Sequence, residues 1–356
     1  MFKNRIYKLR KLMSEKGIDG VLLQGDPNRN YLSGFTGDES FSVITNERAI
    51  FITDSRFTEQ ARQQAKDYEI VQYSGKFEDF LGDLTKNLNI SKIGFEENII
   101  TYDNYIKYKN KLNCELVPMD GMVEKIRIVK DEEEINCIKK AAAIADKAFE
   151  HMLGYIKAGM TERQVGLELE FYMKKLGARD LSFPTIVASG VRSCLPHGQA
   201  TDKVLKEGEF LTLDFGCIYN DYCSDMTRTI VIGEPSDKMK EIYNVVLEAE
   251  MKALKGFKPG VTGKSVDKIA RDYIAEKGYG KYFGHGLGHG VGREIHENPR
   301  VSPMGDTILE KGMVVTDEPG IYIPDFGGVR IEDLILITEC GCEVISKSPK
   351  ELICIK

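Results

Sequence analysis

Apolar and polar positions along the first ~120 residues switch repeatedly between the helical and the strand period. Ile6, Leu9, Leu12 and Met13 form a helical stripe that stops at Gly17. Gly20-Val21-Leu22-Leu23 predicts a strand, and Phe41–Ile44 with Ala49–Ile52 predict hairpin arms around Asn46-Glu47-Arg48. Glu69–Val71, Lys92–Phe95 and Glu115–Val117 continue the strand series with helical segments between them, the pattern of a small α/β domain. The run Pro118-Met119-Asp120-Gly121 then breaks the pattern. Beyond it Asp131-Glu132-Glu133-Glu134 opens a long helix with acids in its first turn, so the domains are expected at 1–122 and 123–356.

The second part carries a faint internal repeat. A shift from Lys157 to Lys258 also superposes Gly159/Gly260, Thr161/Thr262, Val165/Val266, Tyr172/Tyr273 and Gly177/Gly278. Each copy reads as a glycine turn, a Thr N-cap and a helix closed by glycine, and Thr161 with Gln164 has capping-box spacing. The repeat predicts two similar halves with a site where they meet. It also disposes of a false lead: Gly263-Lys264-Ser265 is preceded by Lys258 where a phosphate-binding loop needs its first glycine. The Gly284–Gly292 segment likewise contains no dinucleotide-binding GxGxxG.

Composition narrows the class. Among 356 residues, 49 basic against 55 acidic side chains give a net charge of −6, which argues against a phosphate- or anionic-lipid-neutralising surface. No apolar stretch approaches the roughly 20 residues that span a bilayer, and the N-terminal pattern lacks the apolar core of a secretory signal. Eight scattered cysteines without a CxxC pair read as reduced thiols of a cytoplasmic protein. The five histidines are His151, His197, His285, His289 and His296, all in the second part, so any imidazole chemistry belongs there.

Two acidic pairs carry the candidate chemistry. Phe210–Val231 reads as two β-rich runs about a polar turn; a two-residue turn at Tyr219-Asn220 would set Asp214 opposite Asp225. Such a like-charge pair is costly unless a cation lies between the carboxylates or one takes up a proton. Val314–Ile323 and Val329–Ile337 repeat the arrangement about Pro324–Gly328, with Glu318 and Glu332 opposite within a residue of register. Between the pairs, glycine at every second position of Gly284–Gly292 leaves one face bare for a backbone or ligand to approach. His285 and His289 share the other face about 13 Å apart, so one ion cannot bind both. His296-Glu297-Asn298-Pro299 is not the HExxH of single-zinc proteases. Four carboxylates and an imidazole suit Mn²⁺, Fe²⁺ or Co²⁺ and tolerate Zn²⁺. They exceed what one divalent ion needs, which points to two ions about 3.5–4 Å apart bridged by carboxylates and a hydroxide.

His197 after Pro196, Asp214-Phe215-Gly216, Asp225, His285-Gly286-Leu287-Gly288-His289, His296-Glu297, Glu318-Pro319-Gly320 and Arg330-Ile331-Glu332-Asp333 together resemble the Xaa-Pro peptidases. These are aminopeptidase P and prolidase of the pita-bread metallopeptidase superfamily. Tyr31–Phe35 and Thr53-Asp54 resemble the creatinase-like N-terminal domain of the same family. The resemblance implies an α/β N-terminal domain followed by an α+β pita-bread catalytic domain with two pseudo-symmetric halves. It implies Asp214, Asp225, His289, Glu318 and Glu332 as ligands of two divalent ions, foremost Mn²⁺, and a metal-bridging hydroxide as nucleophile. His197, His296 and Glu318 match catalytic positions, and His197, His285, Tyr322 and Arg330 match substrate-binding ones. Asp317 departs from the family pattern and is expected to add negative charge near the ions.

The implied activity is release of the N-terminal residue from Xaa-Pro dipeptides or short proline-containing peptides by a cytoplasmic homodimer, without nucleic acid or membrane. Alternatives are a methionine aminopeptidase-like exopeptidase, which the first domain argues against, and a silent peptide-binding relative, which would be expected to have lost ligands. A metal-free creatine hydrolase fails on the same ground. Arg300 reads as an exposed loop cation rather than a grip for a terminal carboxylate, and Asp54-Ser55 as a helix cap rather than a reach to a neighbouring subunit.

Overall fold

The computed structural model describes residues 2–355. They form two compact units that divide between Arg127 and Ile128. The helix Met122–Arg127 therefore packs with the first unit, beyond the boundary expected after residue 122, because Met122, Val123 and Ile126 enter that unit's core.

The first unit is a six-stranded mixed sheet in the order Glu69–Gln72, Ala49–Thr53, Phe41–Thr45, Gly20–Leu23, Lys92–Phe95 and Glu115–Pro118. Its alternation feeds two cores: Val21, Leu23 and Phe51 pack with the first helix's Ile6, Leu9 and Met13, while Leu22, Ile50 and Ile93 pack with Leu81 and Tyr108. The expected hairpin forms, with Ile44 opposite Ala49. Asp54 is not a helix cap. Its carboxylate accepts from the Arg56 amide at 2.8 Å and pairs with that guanidinium, while Phe57 holds the cap position.

In the second unit the repeat is a property of the backbone. Thr161 and Thr262 cap the helices Glu162–Lys175 and Gly263–Glu276. The Gly159 amide donates to Leu205 at 3.0 Å and the Leu205 amide to Met160 at 2.8 Å; Gly260 with Leu309 and Leu309 with Val261 repeat both bonds at 2.9 and 2.7 Å. Each half adds a long helix, Glu132–Tyr155 or Asp237–Leu254, and an antiparallel ladder. The first ladder is Ile186–Ser189, Glu209–Phe215 and Met226–Ile232, edged by Cys354–Ile355. The second runs Glu297–Val301, Gly288–Gly290, Val314–Asp317, Asp333–Ile337 and Cys342–Val344. Separate cores under the two ladders, around Phe149 and Leu213 and around Val246 and Val315, fix the halves. All eight cysteines are free, and among the described residues no helix is long and apolar enough to cross a membrane.

The two caps make the same contribution if the halves are equivalent. Thr161→Ala and Thr262→Ala are each expected to lower unfolding free energy by about 1 kcal/mol. Urea denaturation checks this; a loss confined to one variant contradicts the equivalence.

Candidate metal centre

The first acidic pair is built differently from the sequence expectation. Asn220 and Asp221, with φ of 46° and 65°, form the turn, and Tyr219 pairs with Tyr222. Asp214 consequently faces Thr227 rather than Asp225. Continued, that register sets Asp225 opposite Gly216, where a Cβ would lie 1.9 Å from the Ser224 carbonyl oxygen, so only glycine fits. Asp214 and Asp225 are diagonal neighbours, both buried and both lining one cleft of about 960 Å³.

The second pair follows the expectation. Asp317 pairs with Asp333 in one ladder and Gly320 with Arg330 in the next, and the shared register sets Glu318 opposite Glu332 at the break. Their amides turn to other strands, Glu318 to the Leu287 carbonyl at 2.8 Å and Glu332 to that of Thr227 at 3.1 Å. Thr227 lies in the first half's ladder, so this bond ties the halves together. Asp317 does not add charge to the cleft. Strand alternation points it toward Glu250 and Asp333 behind the sheet, where burial and those carboxylates push its carboxyl well above the usual range.

The bare face of the glycine segment is filled by backbone: a Cβ at Gly288 would meet the Thr316 carbonyl oxygen at 2.2 Å, and one at Gly290 that of Asn298 at 2.3 Å. His285 and His289 then play different parts. His289 Nδ1 contacts the Gly290 carbonyl at 3.1 Å, which requires the proton there and frees Nε2. That atom lies 3.6 Å from Asp225 and 3.5 Å from Glu318. His285 similarly gives its Nδ1 proton to Gly286, and its Nε2 accepts from the Tyr322 hydroxyl at 2.9 Å. Arg330 donates to that hydroxyl at 2.8 Å and holds Asp214 in an ion pair at 2.6 Å. His197 and His296 line the same cleft, and the His296 ring lies 4.4 Å from that of His289. Ligand atoms of Asp225, His289 and Glu332 lie within 4.8 Å of one another.

Metallopeptidase family M24 matches residues 136–339, and the creatinase/prolidase N-terminal domain matches residues 5–129. The chain belongs to metallopeptidase family M24. An Xaa-Pro dipeptidase of Pyrococcus horikoshii is 43% identical, the match covering 99% of each chain. A solved Xaa-Pro dipeptidase from Bacillus anthracis has 53% identity and a TM-score of 0.98, covering 99% of this chain and 100% of that one. An X-Pro aminopeptidase from Thermotoga maritima has 42% identity and a TM-score of 0.91, covering 96% and 99%. The expected two-domain architecture is thereby established.

Metallopeptidases of the M24 family imply divalent ions, and the side chains here fit them. Four carboxylates converge on one guanidinium, and the buried Asp214 Oδ1 accepts no hydrogen bond from the described residues. Burial, then neighbouring carboxylates, push Asp225 and Glu332 well above the carboxylate range; burial brings Glu318 up to about 8. Burial lowers His289 and His285 to about 4, so both rings are neutral near pH 7. Desolvation, with His197 nearby, also lowers His296.

Two threonines absent from the sequence reading hold these acids. Thr227 donates to Glu332 at 2.6 Å and accepts from Arg330 at 3.0 Å; Thr316 donates to Glu318 at 3.2 Å and accepts from the His289 amide at 3.0 Å. Each stands two residues along the chain from an acid at the end of its strand, so period-2 alternation is the available signal.

Because carboxyls such as Glu318 hold protons near neutrality without a cation, cation binding must expel them. Manganese binding is expected to release at least about one proton per chain at pH 7 and to weaken as the pH falls. Calorimetry in buffers of different ionisation enthalpy reads this; no release, or tighter binding at pH 6, contradicts it.

Proposed function

We propose that this chain is an exopeptidase that uses two divalent ions to hydrolyse the bond between an N-terminal residue and a following proline. Asp214, Asp225, His289, Glu318 and Glu332 would hold the ions. The observation that carries the reading is the meeting of Asp225, His289 and Glu332 within 4.8 Å on the wall of a cleft that His197 and His296 also line. When bound, such ions supply Lewis acidity and bring the pKa of a water near neutrality. Manganese is the first ion to try, with cobalt, iron and zinc as alternatives.

The chain's own groups divide the remaining work. His296, neutral and at the cleft, donates one N–H toward the scissile carbonyl oxygen, and His197 approaches the same atom from its loop. Glu318, ionised once the ions have displaced its proton, takes a proton from the attacking water and passes it to the prolyl nitrogen, which must be protonated to leave. Arg330, Tyr322 and His285 form a hydrogen-bonded row that orients the substrate. An acidic side chain of the cleft receives the free amine, which confines cleavage to the first residue. A prolyl nitrogen carries no N–H for strand-like recognition. The apolar wall of Phe183, Pro184, Ile186 and Ile295 suits its ring instead.

The solved relatives include both a dipeptidase and an aminopeptidase by name, so dipeptides and short peptides are both within this reading. The eight free cysteines fit a reducing compartment, and a cytoplasmic homodimer belongs to the same proposal.

Release of the first residue from Xaa-Pro and Xaa-Pro-Yaa is measured with Mn²⁺, after EDTA, and in Asp225→Asn. Turnover with Mn²⁺ is expected to fall by at least about 100-fold in the other two conditions. Undiminished turnover there contradicts the metal assignment, and the ratio of kcat/KM for the two substrates assigns the subclass.

A further inference from the structure

The two halves differ at the first position of the repeated helix. In both, the turn is stitched by the same backbone bonds: Glu162 N to Lys203 O at 3.0 Å and Arg163 N to Thr201 O at 2.9 Å are matched by Gly263 N to Thr307 O and Lys264 N to Gly305 O at 3.4 and 2.8 Å. In the second half this position is Gly263, against which the Arg300 carbonyl packs so closely that a Cβ would meet it at 2.1 Å. In the first half it is Glu162, wholly buried. The second half builds the same turn without a carboxylate, so the turn does not require Glu162.

Its partners show what the carboxylate does. Oε1 accepts from the Ser189 amide at 2.8 Å and the Ser189 hydroxyl at 2.9 Å. Oε2 accepts from the Thr201 amide at 3.1 Å, the Thr201 hydroxyl at 2.6 Å and Arg192 Nε at 3.0 Å. Arg192 passes the link to the Gln199 carbonyl at 2.6 Å. Ser189 and Thr201 are the two ends of the loop that carries His197 into the cleft. Among the described residues no hydrogen bond reaches the His197 ring, so its position is set by its loop. Burial alone would raise the Glu162 carboxyl, but hydrogen bonds from Thr201 and Ser189 hold it below the usual range, so it stays ionised.

We propose that Glu162, outside the cleft, is a positioning residue for His197: one carboxylate clamps both ends of the histidine's loop. The inference rests on the reading that His197 meets the scissile carbonyl. A group held loosely by even about 1 Å loses up to 100-fold in rate.

The test is a double-mutant cycle on Xaa-Pro hydrolysis with saturating Mn²⁺, using Glu162→Gln, His197→Ala and their combination. Glu162→Gln is expected to keep wild-type manganese stoichiometry, to lower kcat by roughly 10- to 100-fold with a smaller change in KM, and to cost nothing further once His197 is alanine. Thr201→Val, which removes one hydroxyl from the clamp, is expected to show the same pattern on a smaller scale, and carries the comparison should Glu162→Gln not fold. An equal cost of the clamp variants in both backgrounds, or wild-type kinetics in them, overturns the positioning role while leaving the peptidase reading intact. Wild-type kinetics in His197→Ala overturns the role of His197 and the clamp together, whereas an inactive parent enzyme refutes the peptidase reading itself.

Discussion

Asp214, Asp225, Glu318 and Glu332 crowd around one buried guanidinium, that of Arg330, and that imbalance is the constraint the rest of the catalytic unit answers. Removing such groups from water is expensive, and each raises the proton affinity of the others. Asp225, Glu318 and Glu332 all show the shift, with burial as the leading cause. Arg330 offsets only part of the charge, at Asp214. A cluster of this kind persists only where the backbone beneath it is rigid, and here each acid stands beside a densely hydrogen-bonded antiparallel ladder.

That rigidity comes from duplication. Each half supplies a ladder with two acids beside it, and the Glu332 amide crosses to the Thr227 carbonyl to join them. The donors that finish the site are asymmetric. The second half adds His289, with Nδ1 tied to Gly290 so that Nε2 faces the acids. The first half adds His197 on a loop whose ends meet at Glu162. A symmetric frame thus carries an asymmetric set of groups, as a peptide bond with unlike ends requires.

Much of this was legible in the sequence, and the failures have local causes. The Glu318–Glu332 pairing could be read from its turn because the ladders on either side keep one register. The Asp214–Asp225 register differs from the expectation because the turn lies at Asn220-Asp221, one residue beyond Tyr219-Asn220. Asn220 and Asp221 tolerate positive φ and are the better turn pair, so composition held the signal. Asp317 was expected near the ions since proximity in sequence ignores alternation, which sends its side chain to the opposite face. Thr227 and Thr316 read first as β-propensity, and only their alternation with the acids two residues away marks them. The Glu162 clamp joins residues far apart in the chain, and no periodicity reports such a contact.

The central claim is that Asp214, Asp225, His289, Glu318 and Glu332 enclose a pair of cations. Anomalous diffraction from crystals grown with manganese tests it most directly. Two adjacent peaks, about 3.5–4 Å apart and each touching carboxylates from this set, are predicted. A lone peak, peaks elsewhere, or none within the cleft would contradict it.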